Sequence, residues 1–294
     1  MTTTDTGRRV LLVAHTGRRD IEELATHAKD RLAAAGVDLV ALPGEDEALG
    51  LAAIGVPAQS VELVLAMGGD GTLLRAAEVA RAIGSPILGI NLGRVGFLAE
   101  ADADEVDAVV DAICSHDYSV SSRMTVEAVV EHHGEVIGTG WALNEVSLEK
   151  ATRERILDVV VEVDGHGVSA YGCDGVLIAT PTGSTAYAFS AGGPILWPSV
   201  EALLLVPSNA HALFARPLVV APDVEIGLHI DPLGHAAVLA CDGRRILQVP
   251  AGARVLVRRG EQAVKMVRLG EQRFSTRLAR KFSLPVQGWR DKRR

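Results

Sequence analysis

Cysteine, aromatic side chains, long apolar runs and excess positive charge are all scarce in this sequence. Only three of its 294 residues are cysteine (Cys114, Cys173, Cys241). They are far apart and form no Cys-x-x-Cys pair, which excludes a disulfide framework and a zinc-finger spacing and predicts reduced, buried thiols. No stretch approaches the roughly 18 uncharged apolar residues that a membrane-spanning helix needs. Met1 to Arg9 is polar and Thr-rich, without the apolar centre of a signal peptide, so a cytoplasmic location is expected. Aromatics make up 4%, too few for a base-stacking platform. Acidic residues outnumber basic ones 37 to 29, a net charge of −8. Such a field repels polyanions, so neither nucleic acid nor an anionic membrane is an expected partner. Arg290, Lys292, Arg293 and Arg294 read as a solvated basic end. No Gly-Lys-Ser/Thr step occurs, so there is no Walker loop.

Apolar residues are plentiful at 48%, which argues against disorder, and the length suits about two domains. The first part alternates strands and helices. Arg9–His15, Val37–Leu42, Val61–Met67 and Pro86–Asn91 read as buried strands. Asp20–Ala35, Leu73–Ile83 and Asp102–Ile113 read as helices. In the first helix Ile21, Leu24, Ala25, Ala28 and Leu32 share a face, with Asp20 expected to cap its start and Gly36 to close its end. This order predicts an α/β domain with a parallel, Rossmann-like sheet over 1–117.

From Met124 onward the apolar runs are short, β-branched and joined by turn residues, as in Val126–Glu131/Glu135–Gly138 and Leu157–Val163/Val168–Tyr171. They predict a β-rich domain of two antiparallel sheets over 118–272. A tail over 273–294 is expected to pack back on the N-terminal domain. Gly165-His166-Gly167-Val168-Ser169-Ala170 has the letters of a dinucleotide fingerprint, but it lies between two β runs and reads as a hairpin turn.

Three features carry chemistry. The first is Met67-Gly68-Gly69-Asp70-Gly71-Thr72, between a strand and a helix. Ligands bind beyond the carboxyl ends of strands in open parallel sheets, and amides at a helix start favour anions. An acid placed there is a candidate general base or metal-linked group; otherwise Asp70 is a helix cap in a tight turn. The second is the small, hydroxyl-rich string from Gly172 through Thr180-Pro181-Thr182-Gly183-Ser184-Thr185 to Pro194, which suits a polar ligand such as a ribose or an amide. The third is Asn144-Glu145 inside an apolar run. If buried, that pair needs a partner, and a purine or ribose would satisfy both side chains; otherwise it is a strand-edge pair turned to water.

Together these residues resemble the NAD kinase family. The likeness rests on Gly68-Gly69-Asp70-Gly71-Thr72, Leu92-Gly93-Arg94-Val95-Gly96-Phe97-Leu98, Asn144-Glu145 and the Asp174-to-Pro194 block, in family order from about residue 9 to 290. Trp141–Glu145 and Asn209–Phe214 look like actinobacterial members. The glycine loop alone is shared with diacylglycerol, sphingosine and phosphofructokinase relatives.

The resemblance implies phosphorylation of the 2′-hydroxyl of NAD's adenosine ribose to give NADP. ATP or inorganic polyphosphate would be the donor, and a divalent cation, Mg²⁺, would bridge the donor phosphates. Asp70 matches the proton acceptor, and Gly68, Gly69, Gly71 and Thr72 the phosphate loop. Gly71 and Arg75 match NAD contacts, Asn144 and Glu145 grip the adenosine part, and Asp174 meets the nicotinamide end. Thr185, Ala186, Tyr187, Ala188, Phe189 and Ser190 line the substrate, and Arg155 falls where a basic contact is frequent, in a variable stretch. A homo-oligomer, dimer or tetramer, is implied as well. Asp242-Gly243-Arg244 departs from the Asp-Gly-Gln of many members, so that contact is not carried over. The competing readings are a lipid or sugar kinase sharing the Asp loop, and a non-catalytic dinucleotide sensor.

Overall fold

The computed structural model describes residues 7–55, 60–93, 96–152, 155–270 and 274–285. Arg94 and Val95 of the second glycine motif, and the basic residues Arg290, Lys292, Arg293 and Arg294, lie outside them. The chain forms two compact units, one of residues 1–122 with 264–294 and one of residues 123–263.

The first unit is a sheet with helices. Its strands run in the order Ala52–Ala53, Val37–Ala41, Arg8–Ala14, Val61–Gly68, Ile87–Asn91, Val264–Arg268 and Ser119–Arg123, with Ala101–Asp102 paired beside Ile87–Asn91. The pairings of Arg8–Ala14, Val37–Ala41, Val61–Gly68 and Ile87–Asn91 are parallel. Strands covered on both faces read as unbroken apolar runs, and Val10, Leu11, Leu12 and Val13 are indeed fully buried. Helix Arg19–Ala34 buries Ile21, Ala25, Ala28 and Leu32, the face read from spacing. Asp20 does not cap it: the cap position is Arg18, without a side-chain cap bond, and Asp20 pairs with Arg18 at 2.5 Å.

Several boundaries differ from the sequence reading. The helix after the glycine loop starts at Asp70 rather than Leu73, because glycine and threonine carry no apolar periodicity to mark its first turn. The helix expected from Asp102 begins with a 3-10 turn at Ala103–Glu105 and becomes α-helical over Val106–Ser115. Val264–Arg268, read as part of the β-rich region, pairs in parallel with Ile87–Asn91. A five-residue strand that mixes apolar and charged residues does not announce which sheet it joins. Phe274–Lys281 forms a helix.

The second unit has two six-stranded sheets. One runs Leu218–Val220, Leu203–Ser208, Gly175–Ala179, Glu145–Lys150, Ala237–Cys241, Arg245–Val249. The other runs His166–Cys173, Leu157–Val163, Ile226–Ile230, Arg254–Arg259, Val126–His132, Glu135–Ala142. All pairings are antiparallel. Inward residues of both sheets, among them Val126, Val146, Leu148, Val159, Val176, Ile178 and Val255, make one core. Asp164 and Gly165 both have positive φ, 50° and 74°, as a two-residue hairpin turn demands. The apparent dinucleotide fingerprint is therefore a turn and the start of a strand.

Candidate active site

Asp70 sits where the apolar strand Val61–Gly68 gives way to the helix Asp70–Ile83. Gly69 occupies the cap position without a side-chain cap bond, so Asp70 is not a helix cap. Its carboxylate turns to the loop that follows Ile87–Asn91. There it accepts the Leu98 N–H at 3.3 Å and the Phe97 N–H at 3.5 Å. Gly96 makes this possible: a Cβ there would run into an Asp70 carboxylate oxygen and lie 3.0 Å from its Cγ. Asp70 stays half-buried and Gly71 is exposed. The helix's opening N–H groups have no partners within the helix, an end of the kind that favours anions, and the fixed carboxylate sits at it. Thr72 packs its side chain against Gly68, where a Cβ would come within 2.8 Å of the Thr72 Cβ.

Arg75, one turn along, is held rather than free. It pairs with Glu45 at 2.8 Å and donates to the Ala14 carbonyl at 2.5 Å. Glu45 is buried and also accepts the Ala14 N–H at 3.3 Å. One of several adjacent acids in a polar turn carries no pattern, so this anchor was invisible in the sequence.

In the second unit Asn144 lies between strands Glu135–Ala142 and Glu145–Lys150, Glu145 opens the second of them, and both are buried. They are not turned to water. The Asp242 carboxylate accepts the Asn144 N–H at 2.7 Å and the Leu143 N–H at 3.0 Å. From the other side the Thr180 hydroxyl donates to the Leu143 carbonyl at 2.6 Å, and the Thr180 N–H to that of Asn144 at 2.8 Å. Gly183 approaches so closely that a Cβ would be 2.7 Å from the Asn144 Cα. Thus the small-residue string serves backbone packing at Asn144. Its buried hydroxyls are consumed internally: Ser184 donates to the Pro181 carbonyl at 2.7 Å and accepts the Leu196 N–H at 2.9 Å. Thr185 donates to the Thr182 carbonyl at 3.3 Å.

Burial and the nearby Asp242 charge push the Glu145 carboxyl up to about 8, against a hydrogen bond from the Tyr187 N–H. Its Oε2 has no hydrogen-bond partner. At neutral pH this group is a carboxylic acid able to donate as well as accept. Asp242 is also raised by burial, offset by the two backbone N–H groups and by Arg245 at 2.8 Å. Arg245 in turn lies over the Trp141 ring, 4.4 Å from its centre.

The one-turn helix Tyr187–Ser190 is anchored by Ala188, which packs with Leu177, Ala179, Leu204 and Val206. Tyr187, Phe189 and Ser190 are exposed and Ala186 is half-buried. Burial raises the Tyr187 phenol, and the charges of Glu149, Asp174 and Glu145 add to this against a hydrogen bond with Ser208. Asp174 pairs with Lys150 at 2.5 Å and Asn209 at 2.8 Å, which hold it below the usual carboxylate range. Glu145, Asp174 and Tyr187 are therefore near enough to feel one another's charge, with Asn144 next to Glu145 in the chain. Arg155 is exposed before Leu157, and among the described residues no contact ties it to them. Asp242 and Thr180 hold the Leu143 and Asn144 backbone in place; the sequence marked Asp242 only in the Asp242-Gly243-Arg244 that departs from the family's Asp-Gly-Gln.

Cys173 and Cys241 are buried, and Cys114 is half-buried; all three are free. Burial pushes the Cys173 thiol up to about 12 and Cys241 to about 11, so neither is poised as a nucleophile. Among the described residues no three His, Cys, Asp or Glu side chains converge as a metal cage, and no helix is long and apolar enough to cross a membrane.

Residues 51–118 match the family model for the ATP-NAD kinase N-terminal domain, and residues 143–269 that for the ATP-NAD kinase C-terminal domain. The chain is 52% identical to an NAD kinase of Mycolicibacterium paratuberculosis, covering 96% of this chain and 98% of that one. It is 51% identical to NAD kinase 2 of Streptomyces coelicolor, covering 96% and 97%. Among solved structures, a yeast NADH kinase complexed with NADH superposes with a TM-score of 0.85 at 22% identity, over 97% of this chain and 90% of that one. An NAD kinase from Archaeoglobus fulgidus in complex with ATP gives 0.73 at 25% identity, over 94% and 99%.

Proposed function

Because the chain belongs to the NAD kinase family, we propose that it moves the terminal phosphoryl group of ATP onto the 2′-hydroxyl of NAD's adenosine ribose, with Asp70 as proton acceptor. The O2′–H proton passes to the Asp70 carboxylate as O2′ bonds to phosphorus, and the bond to the ADP oxygen breaks. The observation that carries this reading is the Asp70 carboxylate itself. It is fixed by two backbone N–H groups at a glycine-rich helix start, where a carboxylate would otherwise oppose the phosphates.

In phosphoryl transfer, positioning and charge neutralisation do most of the work. Gly68, Gly69, Gly71 and Thr72 supply the anion-facing turn. Asn144 and Glu145 bind the adenosine part: the Asn144 amide and the protonated Glu145 carboxyl offer donors and acceptors to base or ribose. Asp174, Gly71, Arg75 and the Thr185–Ser190 segment complete the NAD contacts, with Arg155 the most peripheral. Arg75 reaches a phosphate only by exchanging its ion pair with Glu45. A divalent cation, Mg²⁺, neutralises donor phosphate oxygens when bound. Asp70 would be the protein acid at hand to hold such an ion, which would supply charge neutralisation at the donor phosphates.

Inorganic polyphosphate is a second donor in this reading. A homo-oligomer is its assembly, supported by the exposed apolar side chains of Leu213, Phe214 and Val219. The cytoplasm is its compartment, which three unpaired cysteines suit. Purified protein with NAD, Mg²⁺ and either ATP or polyphosphate, assayed for NADP, tests acceptor and donors together. In the same assay Asp70→Asn should keep NAD binding and lose about 10²–10⁴-fold in turnover; near-normal turnover removes Asp70 from the base role.

A further inference from the structure

The helix Phe274–Lys281 lies beyond the residues that either family model matches, yet it grips the loop that holds Asp70. Arg277 donates to the Phe97 carbonyl at 2.9 Å, and the N–H groups of Phe97 and Leu98 are the ones on the Asp70 carboxylate. One guanidinium is thus a single residue removed from the acid. The Phe97 ring is held at the same time, with its centre 6.1 Å from that of Phe274 and 5.7 Å from that of Phe282. Lys281 sits 5.9 Å from the Phe97 ring centre.

A second anchor lies three residues further along the loop. Arg277 reaches Glu100 at 3.2 Å, Arg268 reaches the same carboxylate at 2.8 Å, and Glu100 accepts the Leu269 N–H at 3.2 Å. Glu100 is buried, and its own N–H is bound to the Gly89 carbonyl at 2.9 Å on the central strand Ile87–Asn91. The loop is therefore clamped at Phe97 and at Glu100. Arg277 serves both points from a side chain only 11% exposed.

We propose that Arg277 is a positioning residue for phosphoryl transfer: through the Phe97 carbonyl it keeps the Phe97 and Leu98 amides on Asp70, so the helix Phe274–Lys281 sets the aim of the acid that takes the 2′-hydroxyl proton. The inference rests on the reading of Asp70 as base. Hydrogen-bond donors around a reacting group act by being fixed before the reaction, and small displacements in such a frame cost rate. Asn144 and Glu145 belong to the other unit, and Gly71 and Arg75 lie on the helix Asp70–Ile83 rather than on the clamped loop, so NAD binding should be largely spared.

The test is a double-mutant cycle. Arg277→Ala should lower kcat about 10- to 100-fold, with KM for NAD changed less than about 3-fold. Arg277→Lys, which keeps a charge for Glu100, should recover part of the loss, as should added guanidinium ion with Arg277→Ala. In an Asp70→Asn background, Arg277→Ala should cost nothing further, because residues that act as a unit are non-additive. An equal kcat loss in both backgrounds, or a loss confined to KM, overturns the inference while leaving Asp70 as base. Near-normal turnover of Asp70→Asn alone instead removes the reading it rests on. Should Arg277→Ala fail to fold, Arg277→Lys carries the same cycle with the same criteria.

Discussion

Glu145→Gln isolates the cost of ionising a buried acid, because glutamine has the same shape and cannot ionise. The Glu145 carboxyl is pushed from its ordinary 4.5 to about 8 by burial and by Asp242. The folded state therefore holds its proton more tightly than the unfolded chain does. The stability linked to this group is fully present below about pH 4.5 and is lost as pH rises through about 8. At 1.36 kcal/mol per unit, the whole loss is on the order of 5 kcal/mol, with roughly 3 kcal/mol gone by pH 7. Glutamine keeps an oxygen for the Tyr187 N–H and places its NH₂ where Oε2 already lacks a partner, so at pH 5 parent and variant should be nearly equal. Urea unfolding followed by circular dichroism at pH 5, 7 and 9 should show the variant gaining stability over the parent at each step. A difference that stays flat across pH refutes the neutral carboxyl, and a variant less stable at pH 9 would mean that Glu145 is a paired carboxylate in the fold.

Three further substitutions probe the two units. Gly96→Ala should drive a methyl group into the Asp70 carboxylate and lower turnover at least about 10-fold. Gly93→Ala, whose Cβ meets nothing within 4 Å, should be nearly silent; equal rates for the two in the NADP assay would show that the loop yields. Thr180→Val removes a donor to the Leu143 carbonyl and an acceptor for the Gly183 N–H. It should cost about 1–3 kcal/mol and raise KM for NAD, measured by thermal unfolding and steady-state kinetics; an unchanged KM separates Thr180 from the Asn144 geometry.

What the sequence revealed and what it hid divide along physical lines. Strands such as Arg8–Ala14 and helix faces such as Ile21–Leu32 were legible, because burial on one or two faces writes a period into the residues. The turn at Asp164–Gly165 was legible because two successive positive φ values favour few residue types. Glu45 and Arg277 were not, since each acts through a backbone group or ion pair distant in sequence; Asp242 was visible in Asp242-Gly243-Arg244, but its hold on the distant Leu143 and Asn144 backbone was not. The small residues around Gly183 were visible as a string, but their purpose was not. They read as ligand-facing hydroxyls, whereas Thr180 and Ser184 spend theirs on the chain itself. Parallel pairing of Val264–Arg268 with Ile87–Asn91 joins segments far apart, which no local pattern encodes.

That first unit is assembled from two separate stretches, with the whole of the second unit between them. Since a ribosome delivers the chain from one end, Asp70 and its glycine turn emerge long before Arg268 and Arg277. Until those arginines arrive, the Glu100 carboxylate has neither guanidinium and Phe97 has neither flanking ring. Such distant closures are slow to find. The helix Phe274–Lys281 is thus delivered only after the whole of the second unit, and until then the loop that faces Asp70 lacks its clamps at Phe97 and Glu100.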